Sequence, residues 1–324
     1  MNCLRLALLA AAIASSTFSL FAQAQPYPNR PVKMIVPFPP GQATDIVARL
    51  VADRLAAAWG QGVVVENRGG GGGVPAMMAI REAQPDGYTI GFGTSGTIGV
   101  NPGIYSKLPY DPQKDFAMVG GVFTVPLMIV AHPSMPQNTL KDLVDAAKKA
   151  PGTINWAIPG TGTSQHLTGE LFRSVVGVDL VGIPYKGSGP AVTDVLGGQV
   201  PLMFDSLASS LPHIKAGKLK AIAMTTLRRV PQLPEVPTVA ESGYPGFEGV
   251  GWGGLIVPIA TPRDIVDKIA ADSRRVLNDP ASAARVVERG AVVDARGPAE
   301  FAEFVKAETV KWAGIAKRAK IQVE

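Results

Sequence analysis

The chain has 324 residues, of which 46% are hydrophobic and 18% charged, and its formal net charge is +5 at pH 7. The basic residues are dispersed or paired, as in Lys148-Lys149 and Arg228-Arg229, so we expect no interface for nucleic acid. The single cysteine, Cys3, lies near the N-terminus. The rest of the chain therefore has neither a disulfide nor a thiolate site.

Residues 1–24 have the pattern of a cleaved secretory signal peptide. Arg5 precedes an apolar stretch from Leu6 to Ala14, and the segment ends in the small-residue run Ala22-Gln23-Ala24. A membrane anchor is disfavoured because Ser15, Ser16 and Thr17 interrupt a run already shorter than the roughly 20 apolar residues that a spanning helix needs. We predict cleavage after Ala24 and an exported mature protein.

Short β-rich runs then alternate with helical patterns. A strand at 32–36 precedes a helix that ends at Gly60, and further strands follow at 63–66 and 88–92. Beyond the helix that begins after Thr139, the alternation gives strands at 153–158, 180–184, 200–204 and 219–225, with helices at 164–176 and 190–196. This order predicts an α/β fold in which helices cover parallel sheets.

The pattern changes after Trp252. One more strand at 253–257 is followed only by helices, starting near Thr261, Ala281 and Pro298. Helices without a sheet of their own must pack on an earlier one. We therefore predict a discontinuous lobe I (25–125 and 251–324), a lobe II (126–250), hinge crossings near 125–131 and 249–257, and a ligand cleft between the lobes.

Two turns of similar composition each join a strand to a helix. They are PFPPGQAT at 37–44 and PGTGTSQ at 159–165. The first N–H groups of a helix have no intrahelical partner, and the positive end of the helix dipole lies there, so each turn is a potential seat for an anion. Two such turns on facing lobes predict a carboxylate-binding site.

Spaced motifs along nearly the whole mature chain give a resemblance to a known family. They include YPNRPVKMIVPFPPG at 27–41, VVENR at 64–68, PDGYTI at 85–90, GTGTSQHLTGELF at 160–172 and IPYKGSGPAV at 183–192. In these motifs the chain resembles the exported solute receptors of the tripartite tricarboxylate transporter type, called the Bug family. The resemblance implies a two-lobed type II periplasmic-binding-protein fold and a periplasmic location.

The resemblance also implies a ligand and a binding site. Receptors of this type hold small carboxylates in the interlobe cleft through backbone N–H groups and bound water, and they deliver them to membrane permease subunits. Carried over to this chain, the ligand-binding residues are Phe38, Gly41, Gln42, Ala43, Thr44 and Asp45 in the first turn, and Thr161, Gly162, Thr163, Ser164 and Gln165 in the second. Similar receptors usually have glycine in place of Gln42, so we expect a changed ligand preference.

Four further residues are candidate contacts at predicted strand ends. Thr94 and Ser95 follow the strand at 88–92, and ligands in open α/β sheets bind at the carboxyl ends of strands. Tyr185 is expected either to line the far end of the cleft or to pack at the edge of the lobe. Asp205 is expected either to accept a hydrogen bond from the ligand or to cap the next segment.

Other polar residues are interpreted as structural. Asp45 is favoured by the helix dipole at its position, so we expect it to hold the turn rather than to touch the ligand. His166 lacks a sequence partner for nucleophilic catalysis, and we favour a buried structural role. Trp252 is expected to pack near the hinge. The three histidines are far apart and the mature chain has no cysteine, so we expect no metal and no cofactor.

The sequence therefore predicts a monomeric periplasmic receptor, not an enzyme, for a small mono- or dicarboxylate. One alternative is a periplasmic sensor that signals to a membrane kinase, because transport and sensing use the same lobe closure. A secreted hydrolase is a weaker alternative, since the G-x-S-x-G nucleophile motif is absent.

Overall fold

Two long antiparallel strands run through the middle of the molecule, and one of them pairs with strands of both halves. The computed structural model describes residues 27–288, 290–318 and 321–322, so the predicted signal peptide lies outside the described residues. The strands are β1 (Val32–Val36), β2 (Val63–Asn67), β3 (Thr89–Thr94), β4 (Phe116–Ala131), β5 (Asn155–Ile158), β6 (Val181–Pro184), β7 (Leu202–Ser206), β8 (Lys220–Met224), β9 (Val250–Pro258) and β10 (Val292–Val293).

Helices connect most of these strands. They are α1 (Ala43–Trp59), α2 (Val74–Arg81), α3 (Asn101–Ile104), α4 (Leu140–Lys149), α5 (Ser164–Val176), α6 (Ser188–Leu196), α7 (Leu207–Lys215), α8 (Arg263–Asn278), α9 (Pro280–Glu288) and α10 (Pro298–Arg318). A 3₁₀ turn at Gly71–Gly73 precedes α2, and a π-helical turn at Ser95–Val100 follows β3. Each helix in the described part of the chain is too short or too polar to cross a membrane.

The strand order is β2-β1-β3-β9-β4-β7-β5-β6, and β8 and β10 also pair with β4. In one half β1 lies parallel to β2 and β3, and in the other β5 lies parallel to β6 and β7. Strand β4 pairs with β9 from Phe116 to Pro126 and with β7 and β8 from Leu127 or Met128 to Ala131. The two central strands thus occupy both predicted crossings between the lobes.

The apolar faces predicted for the helices form the cores. Val47, Val51 and Leu55 of α1 pack with Val32 and Met34 of β1. In the other half the core contains Trp156, Phe172 and Phe204, whose rings are in contact. Burial of such side chains is the main stabilising term in each half.

The C-terminal helix α10 contacts both halves. Its Phe301 and Val305 pack with Trp252 in the first half, while its Trp312 and Ala316 join the core of the second. Val266, Ile269 and Leu277 of α8 belong to the core of the first half, and α10 extends further onto the second. This arrangement places the last helix beside the two crossing strands.

Candidate functional site

A small cavity of about 40 Å³ lies where the two halves meet. It is surrounded by the N-terminal ends of α1, α5, α7 and the π-helical turn, by the middle of β4 and by the beginning of β9. The residues that line it are Phe38, Gln42, Thr44, Thr94, Ser95, Gly96, Phe123, Val125, Leu127, Thr163, Ser164, Gln165, Ser206, Gly251 and Trp252.

The first turn is held by the carboxylate of Asp45. Its Oδ2 accepts the Gly41 N–H at 2.9 Å, and its Oδ1 accepts from Asn67 Nδ2 and pairs with Arg49, each at 2.9 Å. Burial alone would raise the pKa of Asp45, but the bonds from Arg49, Gly41 and Asn67 outweigh it and hold the pKa below its usual range. Asp45 is buried and does not line the cavity. It holds the turn and leaves the N–H groups at the start of α1 to a ligand.

The second turn is held by uncharged groups. Thr163 is the N-cap of α5, and its hydroxyl accepts the His166 N–H at 3.3 Å and donates to the Gly160 carbonyl at 2.8 Å. The Gly162 N–H donates to Nδ1 of His166 at 3.2 Å. Gly162 and Thr163 therefore use their N–H groups within the turn, since Thr163 N–H bonds to Gly160. The N–H groups of Ser164 and Gln165 are those that the helix start leaves without an intrahelical partner.

His166 is a neutral structural group. Its ring stacks on Trp156 with 6.2 Å between the centroids, and burial, helped by the charge of Arg173, lowers its pKa to about 4. Because Nδ1 accepts from Gly162, the proton sits on Nε2, which lies 4.0 Å from Glu170. Glu170 is itself paired with Arg173 at 2.9 Å. The structural interpretation of His166 is confirmed.

Two further helical starts reach the cavity. Thr94 caps the π-helical turn in a reciprocal capping box with Thr97, and Ser95 Oγ accepts the Trp252 N–H at 3.4 Å. Ser206 caps α7 and accepts the Ser209 N–H at 3.3 Å. The sequence analysis missed Ser206, although a serine between a strand and a helix is the same signal as Thr94.

The structure brings eight of the fifteen candidate residues to the cavity wall. These are Phe38, Gln42, Thr44, Thr94, Ser95, Thr163, Ser164 and Gln165. Six other candidates do not line it, and they are Gly41, Asp45, Thr161, Gly162, Tyr185 and Asp205. Ala43 is the first residue of α1, and Gly41 and Gly162 directly precede the two N-caps.

Tyr185 and Asp205 lie away from the cavity with partners of their own. The Tyr185 hydroxyl donates to Asp194 at 2.7 Å, and burial together with Asp194 raises its pKa to about 12. Asp205 is buried in β7 and accepts from Ser188 at 3.2 Å and from Ser210 at 2.8 Å, and burial raises its pKa. Neither side chain lines the cavity in this arrangement.

The apolar wall of the cavity comes from the crossing strands. Phe123, Val125 and Leu127 belong to β4, and Trp252 belongs to β9. Trp252 is almost fully buried, and its Nε1–H donates to Glu308 of α10 at 2.8 Å. Trp252 is packed in a hydrophobic core, as the sequence predicts, and it also forms part of the cavity wall.

The two halves are in close contact around the cavity. A Cβ added to Gly96 would lie 3.2 Å from the Gly162 carbonyl oxygen, and one added to Gly251 would lie 3.2 Å from Ser164 Oγ. One added to Gly187 would lie 3.1 Å from Nε2 of Gln42. Each of these distances is shorter than an ordinary van der Waals contact. The structure therefore describes a closed cleft, with glycine where the halves meet.

The electrostatic character of the cavity comes from the backbone. None of its lining residues is Lys, Arg, His, Asp or Glu, and the described part of the chain contains no cluster of three potential metal ligands. Helix N-termini and hydroxyl groups are the donors that the wall presents. Such a wall favours a small anion that accepts several hydrogen bonds.

Comparison with known proteins gives a consistent picture. A family model described as "Tripartite tricarboxylate transporter family receptor" matches residues 47–321. A structure of the periplasmic binding protein BugD has a TM-score of 0.86 and 40% identity, over 92% of this chain and all of that one.

Two further similar structures contain a ligand. Rpa4515 of R. palustris with adipate has a TM-score of 0.88 and 35% identity, over 91% of this chain and 99% of that chain. MatC of Rhodopseudomonas palustris with bound malate has a TM-score of 0.83 and 34% identity, over 89% of this chain and 99% of that chain.

Proposed function

The chain belongs to the tripartite tricarboxylate transporter family of receptors, and we propose that it captures a small carboxylate by closing its two lobes around it. The family resemblance and the two-lobed α/β fold predicted from the sequence are confirmed by the matches. The matched proteins are receptors and binding proteins, so the prediction of a binding protein rather than an enzyme is also confirmed.

The observation that carries the proposal is the meeting of helix N-termini around an uncharged wall. The N–H groups at the start of α1 and α5, with the hydroxyls of Ser95, Ser164 and Ser206, bind the carboxylate. Helix dipoles stabilise its charge without a lysine or arginine. Adipate and malate in the similar structures are carboxylates, which supports the same ligand class here.

The proposed lobes are 25–125 with 251–324, and 126–250. The crossing strands β4 and β9 act as the hinge, because each pairs with strands of the first half and continues towards the second. Opening about them separates Gly96 from Gly162 and admits the ligand. Closure then removes bulk water from the hydrogen bonds to the carboxylate.

A calorimetric titration of the mature chain from Gln25, stripped of carried-over ligand, tests the capture of carboxylates. The panel contains lactate, malate, succinate, glutarate and adipate, each with its amide analogue. We expect binding of at least one carboxylate and none of its amide. A bound ligand should also raise the free energy of unfolding, by about 2.7 kcal/mol at a hundredfold excess over Kd. Equal binding of acid and amide, or no binding at all, contradicts the proposal.

The family assignment supports a further step, delivery of the ligand to the permease subunits of a tripartite transporter in the inner membrane. The receptor acts as a periplasmic monomer after removal of the signal peptide near Ala24. Uptake of labelled ligand into proteoliposomes that contain the permease tests this step. We expect uptake to require the receptor on the outer side. Uptake at the same rate without the receptor would contradict it.

A further inference from the structure

Gln42 reaches across the closed cleft. It lies on the first turn, and a Cβ added to Gly187 of the opposite half would be only 3.1 Å from its Nε2 and 3.8 Å from Pro39. Gly187 directly precedes α6 and has a φ of +126°, a conformation that L side chains rarely adopt. The glycine therefore leaves the space that the Gln42 side chain occupies.

The carboxamide of Gln42 is available for a ligand. Gln42 is the N-cap of α1, but its side chain makes no capping bond. Within the described residues that side chain makes no other hydrogen bond either. The residue is half-buried and lines the cavity. A carboxamide offers two N–H donors and one acceptor oxygen. At the cavity wall, a carboxamide without a hydrogen-bond partner can bind a neutral polar substituent of the ligand.

The size of the cavity limits the ligand. Its volume is about 40 Å³, and since about 10–15 Å³ measured in this way holds one water molecule, it has room for roughly three. The closed site thus suits a carboxylate with a short body.

We propose that Gln42 determines the ligand specificity of this receptor. Its side chain, seated against Gly187, closes one end of the cavity and hydrogen-bonds a hydroxyl, oxo or amide group of a short carboxylate. Long dicarboxylates bind only when this side chain is displaced. The inference rests on the proposed function, since it names the kind of carboxylate that the same site selects.

The test is calorimetric titration of the mature wild type, of Gln42→Gly and of a control, Gln84→Ala, with lactate, malate, succinate, glutarate and adipate. Gln84 is exposed and lies outside the cavity wall. Glycine is nearly as good an N-cap as the polar residues, so Gln42→Gly should fold, and its Tm verifies this. We expect the wild type and the control to prefer lactate or malate. Gln42→Gly should lose about tenfold in affinity for these and gain about tenfold for glutarate and adipate.

The outcomes separate the two proposals. If the wild type and Gln42→Gly bind carboxylates in the same order of affinity, Gln42 does not set the specificity, while carboxylate capture stands. A wild type that prefers adipate also overturns the inference alone. If no carboxylate binds to the wild type, the proposed function fails and the inference fails with it.

Discussion

The turns that precede α1 and α5 share one hydrogen-bonding pattern but use different side chains as the acceptor. In each, a glycine just before the N-cap donates its N–H to the side chain four residues later, from Gly41 to Asp45 in the first and from Gly162 to His166 in the second. The acceptor is a carboxylate in one turn and a neutral imidazole in the other. Both acceptors occupy the third position of their helix.

The difference shows how a helix start is kept suitable for an anion. The negative charge of Asp45 would repel a carboxylate, but Arg49 and Asn67 bind it on the side away from the cavity. The imidazole of His166 is kept neutral by burial and so adds no charge. In both turns the side chain fixes the glycine, and the first helical N–H groups stay available.

Acidification should break the second turn first, and this is the largest expected effect. An unfolded imidazole protonates near pH 6.5, whereas burial and Arg173 hold the pKa of His166 at about 4 in the fold. Between these values only the unfolded chain takes up the proton, so stability falls as the pH drops through this range. The free energy of unfolding should decrease by about 3 kcal/mol from this group. Urea unfolding at a series of pH values measures it.

A His166→Gln variant is the matched control for this titration, because its amide oxygen can still accept the Gly162 N–H but has no proton to gain. The variant should be less stable than the wild type at pH 7. Between pH 6.5 and 4, however, its free energy of unfolding should fall less than that of the wild type, and the difference equals the contribution of His166. Identical pH profiles for the two proteins would show that His166 is protonated equally in both states.

Asp45 gives the next largest effect, and its contribution to stability is lost over a lower pH range than that of His166. Asp45→Ala removes the acceptor of Gly41, Asn67 and Arg49, and should lower the free energy of unfolding by about 2 kcal/mol at pH 7. The pKa of Asp45 is lowered in the fold, so its contribution is fully present above about pH 3.9 and is lost only below it, as the pH falls through the folded pKa. Urea unfolding at pH 7 and pH 5 should give the same difference from wild type. A difference that shrinks at pH 5 would contradict this.

The two turns could be predicted from sequence because their signals are local. A glycine, a capping residue and an amphipathic helix lie within a few residues of each other, and the helices begin at Ala43 and Ser164. The local signals also placed Asp205 at the end of a strand. They could not show that Ser188 and Ser210 bind its carboxylate, since these contacts depend on the packing of α6 and α7.

The apolar wall could not be predicted, because it depends on pairing between distant residues. The first half of β4 contains Gly120 and Gly121, and the register with β9 shifts on both sides of this pair. The alternation of apolar and polar residues is therefore interrupted, and the sequence pattern does not indicate a strand there. Phe123, Val125 and Leu127 become cavity residues only because β9, far along the chain, pairs with this segment.

The N-caps of the two helices allow a finer comparison. Thr163→Ala removes a hydroxyl that accepts from His166 N–H and donates to Gly160. The loss of such a cap should lower the free energy of unfolding by about 1 kcal/mol. Chemical denaturation at pH 7 measures this. An unchanged stability would mean that the His166–Gly162 bond alone holds the second turn.

Gln42→Ala is the corresponding change in the first turn and should have the smallest effect on stability. Gln42 occupies the N-cap of α1 but makes no capping bond, because Asp45 already holds the turn. The free energy of unfolding should therefore change by less than about 0.5 kcal/mol. The contrast with Thr163→Ala distinguishes a capping residue from one that serves the ligand.

The same Gln42→Ala protein should nevertheless change its ligand preference, since the carboxamide against Gly187 is removed and the cavity lengthened. Stability and ligand affinity are thus expected to separate at Gln42. At Thr163 they are expected to change together, because the hydroxyl that caps α5 also positions the N–H groups of Ser164 and Gln165. A loss of 1 kcal/mol or more in Gln42→Ala would show that the side chain stabilises the first turn after all, and the two N-caps would then have the same role.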